Sequence, residues 1–357
     1  MNYIVLNGIK STTVRGLLIQ SLPPITKPLM RTQVDVIDGR DGDAVTTLGY
    51  SAYDRAIEIG LYGDFDIDSV IAFFNSSGTV IFSNEPDKYY KYAIYAQIDY
   101  EKLIRYRTAT VKFHVQPFKY SSTETTVTLT NQLLTFNDAI KTVNGVTATI
   151  SNGELTVIGT ATAATEIYIP IPDLTLPVGS YVFNAYATGT NAGNCSVRLV
   201  YDTPSNSFGG SYVTLQNNAV ARLTGDIADL TTYNYLYFYV SPGAINITIA
   251  LQLVPAANSG LSIRNNGNYA AKPQLTVYGS GTINLSLNNT QIFVVNLALS
   301  DFITIDAAKM DAYKGSVLKN RSVTGDYNNF ILPQGINVIT WSGMVTQLSI
   351  KDYSRWI

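Results

Sequence analysis

A row of alternating aromatic and aliphatic residues constrains the fold of this chain more than any other segment. Tyrosine occupies every second position from Tyr233 to Tyr239, and Leu236, Phe238 and Val240 occupy the positions between and after them. Because successive side chains of a β-strand point to opposite faces, this pattern predicts a strand with an apolar face and a tyrosine face. The apolar face suits a protein core. The tyrosine face could stack on a flat ligand such as a sugar, or it could pack against a second sheet or domain.

The composition indicates a large, mainly β protein. The length of 357 residues predicts two or three domains, and the hydrophobic content of 46% allows large cores. Charged residues make up only 14% of the chain, and its 25 tyrosines with many Thr, Asn and Ser residues favour strands joined by polar turns. The net charge of −2 argues against a general attraction to nucleic acid. No apolar run approaches the ~18 residues of a membrane-spanning helix, so we expect a soluble protein made in a cytoplasm.

Three segments differ in composition and in predicted structure. Residues 1–121 carry much of the charge and predict an α+β sandwich with one helix, from an N-cap at Asp66 to a C-terminal Gly78. Residues 125–260 are poor in charge, and their strands, spaced about 8–12 residues apart, predict an antiparallel sandwich or jelly roll. Residues 261–357 regain Lys and Arg and predict a second all-β sandwich.

Short motifs in the first and last segments carry a family resemblance. The motifs are Gly16–Ile25, Ile37–Asp43, Phe82–Tyr90, Phe113–Tyr120, Asn266–Pro273, Tyr278–Gly281, Ile305–Asp306, Leu332–Asn337 and Arg355–Ile357. In their combination the chain resembles the distal tail proteins of siphophages. The resemblance implies a protein at the distal end of the virion tail, synthesised in the host bacterial cytoplasm.

The resemblance also implies roles and partners for the three segments. The N-terminal domain would form a hexameric ring that joins the tail tube protein to the tip, where a tail-associated lysin or tip protein follows. The C-terminal domain would be a galectin-like β-sandwich. The segment 125–260 looks like the insertion of evolved family members, and its Leu176–Tyr181 and Ile247–Val254 stretches look like jelly-roll carbohydrate-binding modules. Such a module would bind saccharide of the host cell wall.

Two alternative functions remain open from the sequence. The insertion could be purely structural and dock receptor-binding proteins. It could also be a hydrolase of wall polysaccharide, which would require paired carboxylates. The acids of the insertion single out no such pair, so we expect no enzymatic activity.

The candidate saccharide-binding residues are all aromatic. Besides the tyrosine row, three aromatic residues flank a Gly-Gly turn at 209–210 and could be presented at the mouth of the sandwich, although ordinary loop packing explains them as well. The complete candidate set is Tyr233, Tyr235, Tyr237, Tyr239, Tyr201, Phe208 and Tyr212.

The sequence offers little for metal or nucleophilic chemistry. Asp38, Asp41 and Asp43 lack the closing Glu of an EF-hand loop, so a turn is favoured over a calcium site. His114 and Cys195 are the only residues of their types and each lies in a predicted strand, which indicates structural roles. Neither a catalytic triad nor a zinc cluster is expected, and no cofactor is implied.

Overall fold

The computed structural model describes residues 1–39, 41–123, 125–130, 132–151, 154–256 and 260–357. The chain divides into two compact units. The first comprises Met1–Thr125, Asn265–Ala271 and Tyr353–Ile357, and the second comprises Thr126–Arg264 and Lys272–Asp352. Both units are built from antiparallel sheets, which confirms the predicted mainly β fold.

Strands account for most of the described chain. In residues 1–123 the elements are β1 (Ile4–Leu6), β2 (Ile9–Lys10), β3 (Leu17–Ser21), β4 (Met30–Val36), β5 (Asp43–Tyr50), β6 (Tyr53–Leu61), α1 (Ile67–Phe74), β7 (Ser77–Phe82), β8 (Lys88–Ala93), α2 (Tyr100–Tyr106) and β9 (Thr108–Ser121). They are followed by β10 (Thr126–Thr130), β11 (Ala139–Val143), β12 (Val146–Ser151), β13 (Glu154–Ala161), β14 (Thr165–Leu176), β15 (Gly179–Thr190), β16 (Cys195–Val200), β17 (Val213–Thr214), β18 (Val220–Ile227), β19 (Thr231–Val240) and β20 (Gly243–Pro255). The last are β21 (Leu261–Asn265), β22 (Gln274–Leu287), β23 (Thr290–Asp306), β24 (Asp311–Lys314), β25 (Val317–Leu318), β26 (Val323–Gly325), β27 (Gly335–Lys351) and β28 (Arg355–Trp356).

The first unit centres on a sheet with the strand order β2-β1-β7-β8-β9-β6-β3, and β28 pairs with β9. Its core includes Ile4, Ile59 and Val111, which are fully buried. The β28–β9 pairing explains why the last residues of the chain belong to this unit rather than to the C-terminal segment in which the sequence analysis places them.

Helix α1 confirms the predicted N-cap but ends earlier than predicted. The Asp66 carboxylate accepts hydrogen bonds from the backbone N–H groups of Asp68 and Ser69. The helix stops at Phe74 with Asn75 as its C-cap, and Gly78 lies in β7 instead. The sequence analysis is also wrong in expecting one helix. The second, α2, has only seven residues, of which Leu103 alone is buried, too few for a helical period to be recognised.

Strands β4 and β5 form a separate two-stranded hairpin. Val34 and Val45 are cross-strand partners on one face, and Gln33 and Thr46 are partners on the other. The predicted turn Asp38–Asp43 forms the tip of this hairpin, and its Arg40 lies outside the described residues. Both strands are largely exposed, so this hairpin has an apolar face without cover in its own unit.

The inserted segment folds as a two-sheet sandwich. A six-stranded sheet has the order β11-β12-β13-β20-β15-β18, and a four-stranded sheet has the order β14-β19-β16-β17. Their inner faces share one core that includes Val157, Phe183, Val197, Phe238 and Ile247. All strand pairs of these two sheets are antiparallel, as the sequence predicts.

The C-terminal segment contributes a further eight-stranded sheet built around β22, β23 and β27. Strand β10 pairs with β27 along five residues, so Thr126–Thr130 joins this sheet although the sequence analysis assigns it to the insertion. The predicted galectin-like character of this segment, like the predicted three-domain division, stays a prediction.

Candidate functional site

The outer face of the four-stranded sheet gathers most of the predicted tyrosines. Strand β19 lies between β14 and β16, so each outward tyrosine has one neighbour on either side. Tyr239 pairs with Glu166 and Ser196, Tyr237 pairs with Tyr168 and Arg198, and Tyr235 pairs with Pro170 and Val200. We call the surface formed by the following residues the tyrosine face: Glu166, Tyr168, Arg198, Tyr235, Tyr237 and Tyr239.

Tyr237 is the centre of the tyrosine face and is only 3% exposed. Its ring centroid lies 4.9 Å from that of Tyr168 in an edge-to-face arrangement. Burial raises the pKa of Tyr237, and the charge of Glu166 together with a hydrogen bond to its carboxylate raises this pKa further. The Tyr237 hydroxyl therefore stays protonated and donates a hydrogen bond to the Glu166 carboxylate.

Arg198 borders Tyr237 on the opposite side. Its guanidinium carbon lies 5.7 Å from the ring centroid of Tyr237 and 4.9 Å from that of Tyr212. Nη1 donates a hydrogen bond of 3.1 Å to the carbonyl oxygen of Pro204, and Nε is buried without an acceptor among the described residues. The side chain is thus positioned by two rings and one carbonyl.

Two grooves open on the tyrosine face. One, of about 290 Å³, is lined by Arg198, Tyr212 and Tyr239 together with the hydroxyl-bearing Ser196 and Thr214. The other, of about 530 Å³, lies between β11 and β14, and its lining includes Lys141, Glu166, Tyr168 and Tyr235. An aromatic wall beside polar groups is a common lining for a small-ligand site.

Tyr233 does not belong to the tyrosine face, so the prediction that it binds saccharide on that face is wrong. It is 4% exposed and packs in the core of the sandwich, where its ring lies 6.2 Å from that of Phe208. The register between β14 and β19 shifts between Pro170 and Leu174, which places three residues of β14 opposite Asn234 alone. Such a bulge increases the local twist, which accounts for the loss of the simple alternation at Tyr233.

The aromatic residues around the Gly-Gly turn separate into two groups. Phe208 is 1% exposed and also contacts Phe183, so the predicted presentation of Phe208 at the mouth of the sandwich is wrong. The turn is possible because Gly209 and Gly210 both take positive φ, 64° and 63°. Tyr201 and Tyr212 are each 50% exposed, and of these two only Tyr212 lines the groove beside Arg198.

The residues set aside in the sequence analysis occupy structural positions. His114 Nδ1 lies 2.8 Å from Asp54 Oδ1 across two paired strands. Cys195 is buried, which raises the pKa of its thiol to about 12 and keeps it protonated. Within the ranges that the structure describes, no three His, Cys, Asp or Glu side chains are grouped to hold a metal ion.

Three residues of the tyrosine face were not among the site residues predicted from the sequence: Arg198, Glu166 and Tyr168. A signal was present for Arg198, because a cation standing alone between Val197 and Leu199 in a charge-poor segment must reach a polar surface or a partner. Glu166 and Tyr168 alternate with Ile167 and Ile169 and therefore share a strand face. Their position beside the tyrosine row depends on strand pairing, which local sequence does not determine.

Neither helix of the described residues has the length and apolar character needed to cross a membrane. No protein-family model matches the sequence, and no curated protein matches it.

Comparison with solved structures finds proteins of phage tails. The chain is similar to the SPP1 Dit (gp 19.1) protein, described as a paradigm of the hub adsorption apparatus in phages that infect Gram-positive bacteria, with 12% identity, a TM-score of 0.44 and coverage of 100% of both chains. It is also similar to a chain of the phage P2 baseplate in its activated conformation with Ca, with 8% identity, a TM-score of 0.28 and coverage of 99% of this chain and 98% of the other. Both scores lie below 0.5, so these similarities do not assign a function.

Proposed function

We propose that this protein is a structural hub subunit of a siphophage tail tip, which forms a ring through its first unit and binds host saccharide through the inserted sandwich. The motifs shared with distal tail proteins at both ends of the chain support the hub role. The uncovered hairpin β4–β5 supports self-association, and it is the observation that carries the proposal. The ring would be hexameric and would contact the tail tube protein on one side and a tip protein or tail-associated lysin on the other.

The apolar face of the hairpin β4–β5 is exposed to a degree that is unusual for valine. Val34, Val36 and Val45 are 52%, 79% and 60% exposed. A strand pair with one apolar and one polar face normally buries the apolar one, and a two-stranded hairpin alone is marginally stable in water. A second copy of the chain, repeated around a closed ring, would cover this face in every subunit.

A paired substitution tests the ring. Val34→Lys with Val45→Glu puts opposite charges at a cross-strand pair, which preserves strand pairing while it makes the face polar. The matched control, Gln33→Lys with Thr46→Glu, makes the same exchange on the opposite face of the same strands. We expect wild type and control to form a ring-sized species in light scattering and the valine variant to remain monomeric. Equal assembly of both variants, or a wild type that is monomeric at every concentration, would contradict the ring.

The tyrosine face supports saccharide binding by the inserted sandwich. It combines ring surface at Tyr235 and Tyr239 with fixed polar groups at Arg198 and Glu166, beside two grooves. Aromatic rings can stack on the apolar side of a sugar while their hydroxyls keep hydrogen bonds. Docking of a receptor-binding protein, the alternative, would favour a broad dry surface, whereas this face is grooved and polar-tipped.

Pull-down of the full chain on purified host cell-wall polysaccharide tests the saccharide role. We expect retention of the chain by the polysaccharide and no release of reducing sugar, because the protein is proposed not to be an enzyme. Failure to bind would favour the docking alternative, and release of reducing sugar would favour a hydrolase.

A further inference from the structure

The groove beside Arg198 differs from the rest of the tyrosine face because it contains a positive charge that the protein does not neutralise. Among the described residues Arg198 forms no ion pair, and its single hydrogen bond goes to the neutral carbonyl oxygen of Pro204. Nε is buried without an acceptor, and Nη2 has no hydrogen bond to a described residue. An arginine held in this way keeps most of its donor capacity unused.

The surroundings hold the guanidinium in place before any ligand arrives. Tyr212 and Tyr237 lie against it, at 4.9 and 5.7 Å from their ring centroids. A planar guanidinium that is already ordered loses less conformational entropy when it binds a carboxylate or a phosphate, both of which match its donor geometry. The ordered guanidinium therefore favours the binding of an oxyanion in this groove.

The other lining residues favour a sugar that carries this oxyanion. Ser196, Thr214 and Ser241 place hydroxyl groups in the same groove, and the ring of Tyr239, which is 37% exposed, forms part of its wall. Hydroxyl groups suit the hydroxyls of a sugar, and an exposed ring suits its apolar side. The acidic Glu166 lies on β14, across β19 from this groove, and its carboxylate already accepts a hydrogen bond from the Tyr237 hydroxyl.

We propose that this groove binds an anionic saccharide, with the carboxylate or phosphate group of the sugar on Arg198 and its ring against Tyr239. The inference rests on the proposed saccharide role and specifies the chemical class of the ligand. A neutral sugar would leave Arg198 unpaired, whereas a sugar acid or sugar phosphate would complete its hydrogen bonding.

Ligand-detected NMR on the full chain with three small probes tests this class. The probes are glucose, glucuronate and glucose 6-phosphate, with inorganic phosphate as a competitor. We expect glucuronate, glucose 6-phosphate or both to bind at least about tenfold more tightly than glucose, as the loss of a hydrogen bond to a charged group suggests. Preference for glucuronate alone would identify a carboxylate ligand, and preference for glucose 6-phosphate alone a phosphate ligand.

Variants assign this preference to Arg198. Arg198→Gln should abolish it, and Arg222→Gln, which removes the same charge from an exposed position on β18, should retain it. Arg198→Lys, which keeps the charge but loses the planar fork, should reduce the preference without abolishing it. If Arg198→Gln lowers the melting temperature, Arg198→Lys decides whether the preference for the anionic probes depends on this side chain.

Three outcomes would overturn the proposal of an anionic saccharide. Equal binding of glucose and both acids, or an unchanged preference in Arg198→Gln, would contradict the role of the anionic group. Displacement of glucose 6-phosphate by inorganic phosphate at the same affinity would contradict the role of the sugar. If neither acid binds although wall polysaccharide retains the chain, only the anionic class fails. If neither the probes nor the polysaccharide bind, the saccharide function fails with it.

Discussion

The first unit and the inserted sandwich distribute charge and apolar surface in opposite ways. The first unit buries an ion cluster, in which Arg55 and Lys119 both contact Glu85, and exposes the valines of hairpin β4–β5. The sandwich buries an aliphatic and aromatic core, and on its outer face Tyr235 is half-buried and Tyr239 is exposed. An exposed aliphatic face gains free energy only when another surface excludes water from it. A polar-tipped aromatic face is stable in water, so it can meet a ligand and release it.

On our proposal, this contrast separates a surface for assembly from a surface for reversible binding. In the proposed ring a second copy would cover the valines, whereas the tyrosine face needs no cover for stability.

Truncation of a tyrosine should separate the core of the sandwich from its outer face. We expect Tyr233→Ala to lower the free energy of unfolding by about 3–5 kcal/mol, because the ring is 4% exposed and packs on Phe208. Tyr239→Ala, at the far end of the same strand, should change it by less than about 1 kcal/mol. Urea denaturation of both variants measures the difference. Equal costs at the two positions would contradict the assignment of Tyr239 to an open face.

The ion cluster of the first unit should be sensitive to loss of the Glu85 carboxylate. Glu85 is 7% exposed and also accepts a hydrogen bond of 2.6 Å from the Tyr90 hydroxyl. Glu85→Gln would remove the charge that both Arg55 and Lys119 contact, and we expect a loss of about 3 kcal/mol. Calorimetry should show a lower melting temperature for the first unit and an unchanged transition for the sandwich. The same isosteric exchange at the exposed Glu101, which pairs with Arg105 at the surface, is the control, and it should change both transitions much less.

Acid should remove the stabilisation that Glu85 provides. Burial alone would raise the pKa of Glu85, but hydrogen bonds from Lys119 and Tyr90 hold it below its ordinary value of 4.5. A carboxylate with a lowered folded-state pKa stabilises the fold fully above its unfolded-state pKa, and this contribution is lost as pH falls through the folded-state value. The difference in melting temperature between wild type and Glu85→Gln should therefore be constant near neutral pH and shrink below about pH 4.5. A difference that is independent of pH would mean that the charge of Glu85 is not what stabilises the unit.

The sequence predicted the parts of this molecule that depend on local pattern. The cap at Asp66 and the apolar parity of Leu236, Phe238 and Val240 were correct because each is set by residues adjacent in the chain. Tyr233 was misplaced because the bulge that turns it inward arises from extra residues in β14, about sixty positions earlier in the sequence. The sequence also did not reveal the pairing of Tyr237 with Arg198, since these residues meet only when β16 and β19 align. Most strands and their apolar faces can therefore be predicted from local sequence pattern. The residues that line the groove cannot, because they depend on the register between strands.

The smallest expected effect is the loss of stacking surface from the tyrosine face. Tyr235→Ala combined with Tyr239→Ala removes two exposed or half-buried rings and leaves the buried Tyr237 and its hydrogen bond to Glu166 in place. Each ring that stacks on a sugar is worth on the order of 1 kcal/mol, so binding of wall polysaccharide should weaken by roughly tenfold or more for the pair while the melting temperature stays close to that of wild type. Tyr201→Ala is the control, because it removes a more exposed ring that lines neither groove. A double variant that stays folded and binds as well as wild type would show that the exposed rings are not a ligand surface. The distinction between an assembly surface on the first unit and a binding surface on the sandwich would then no longer hold.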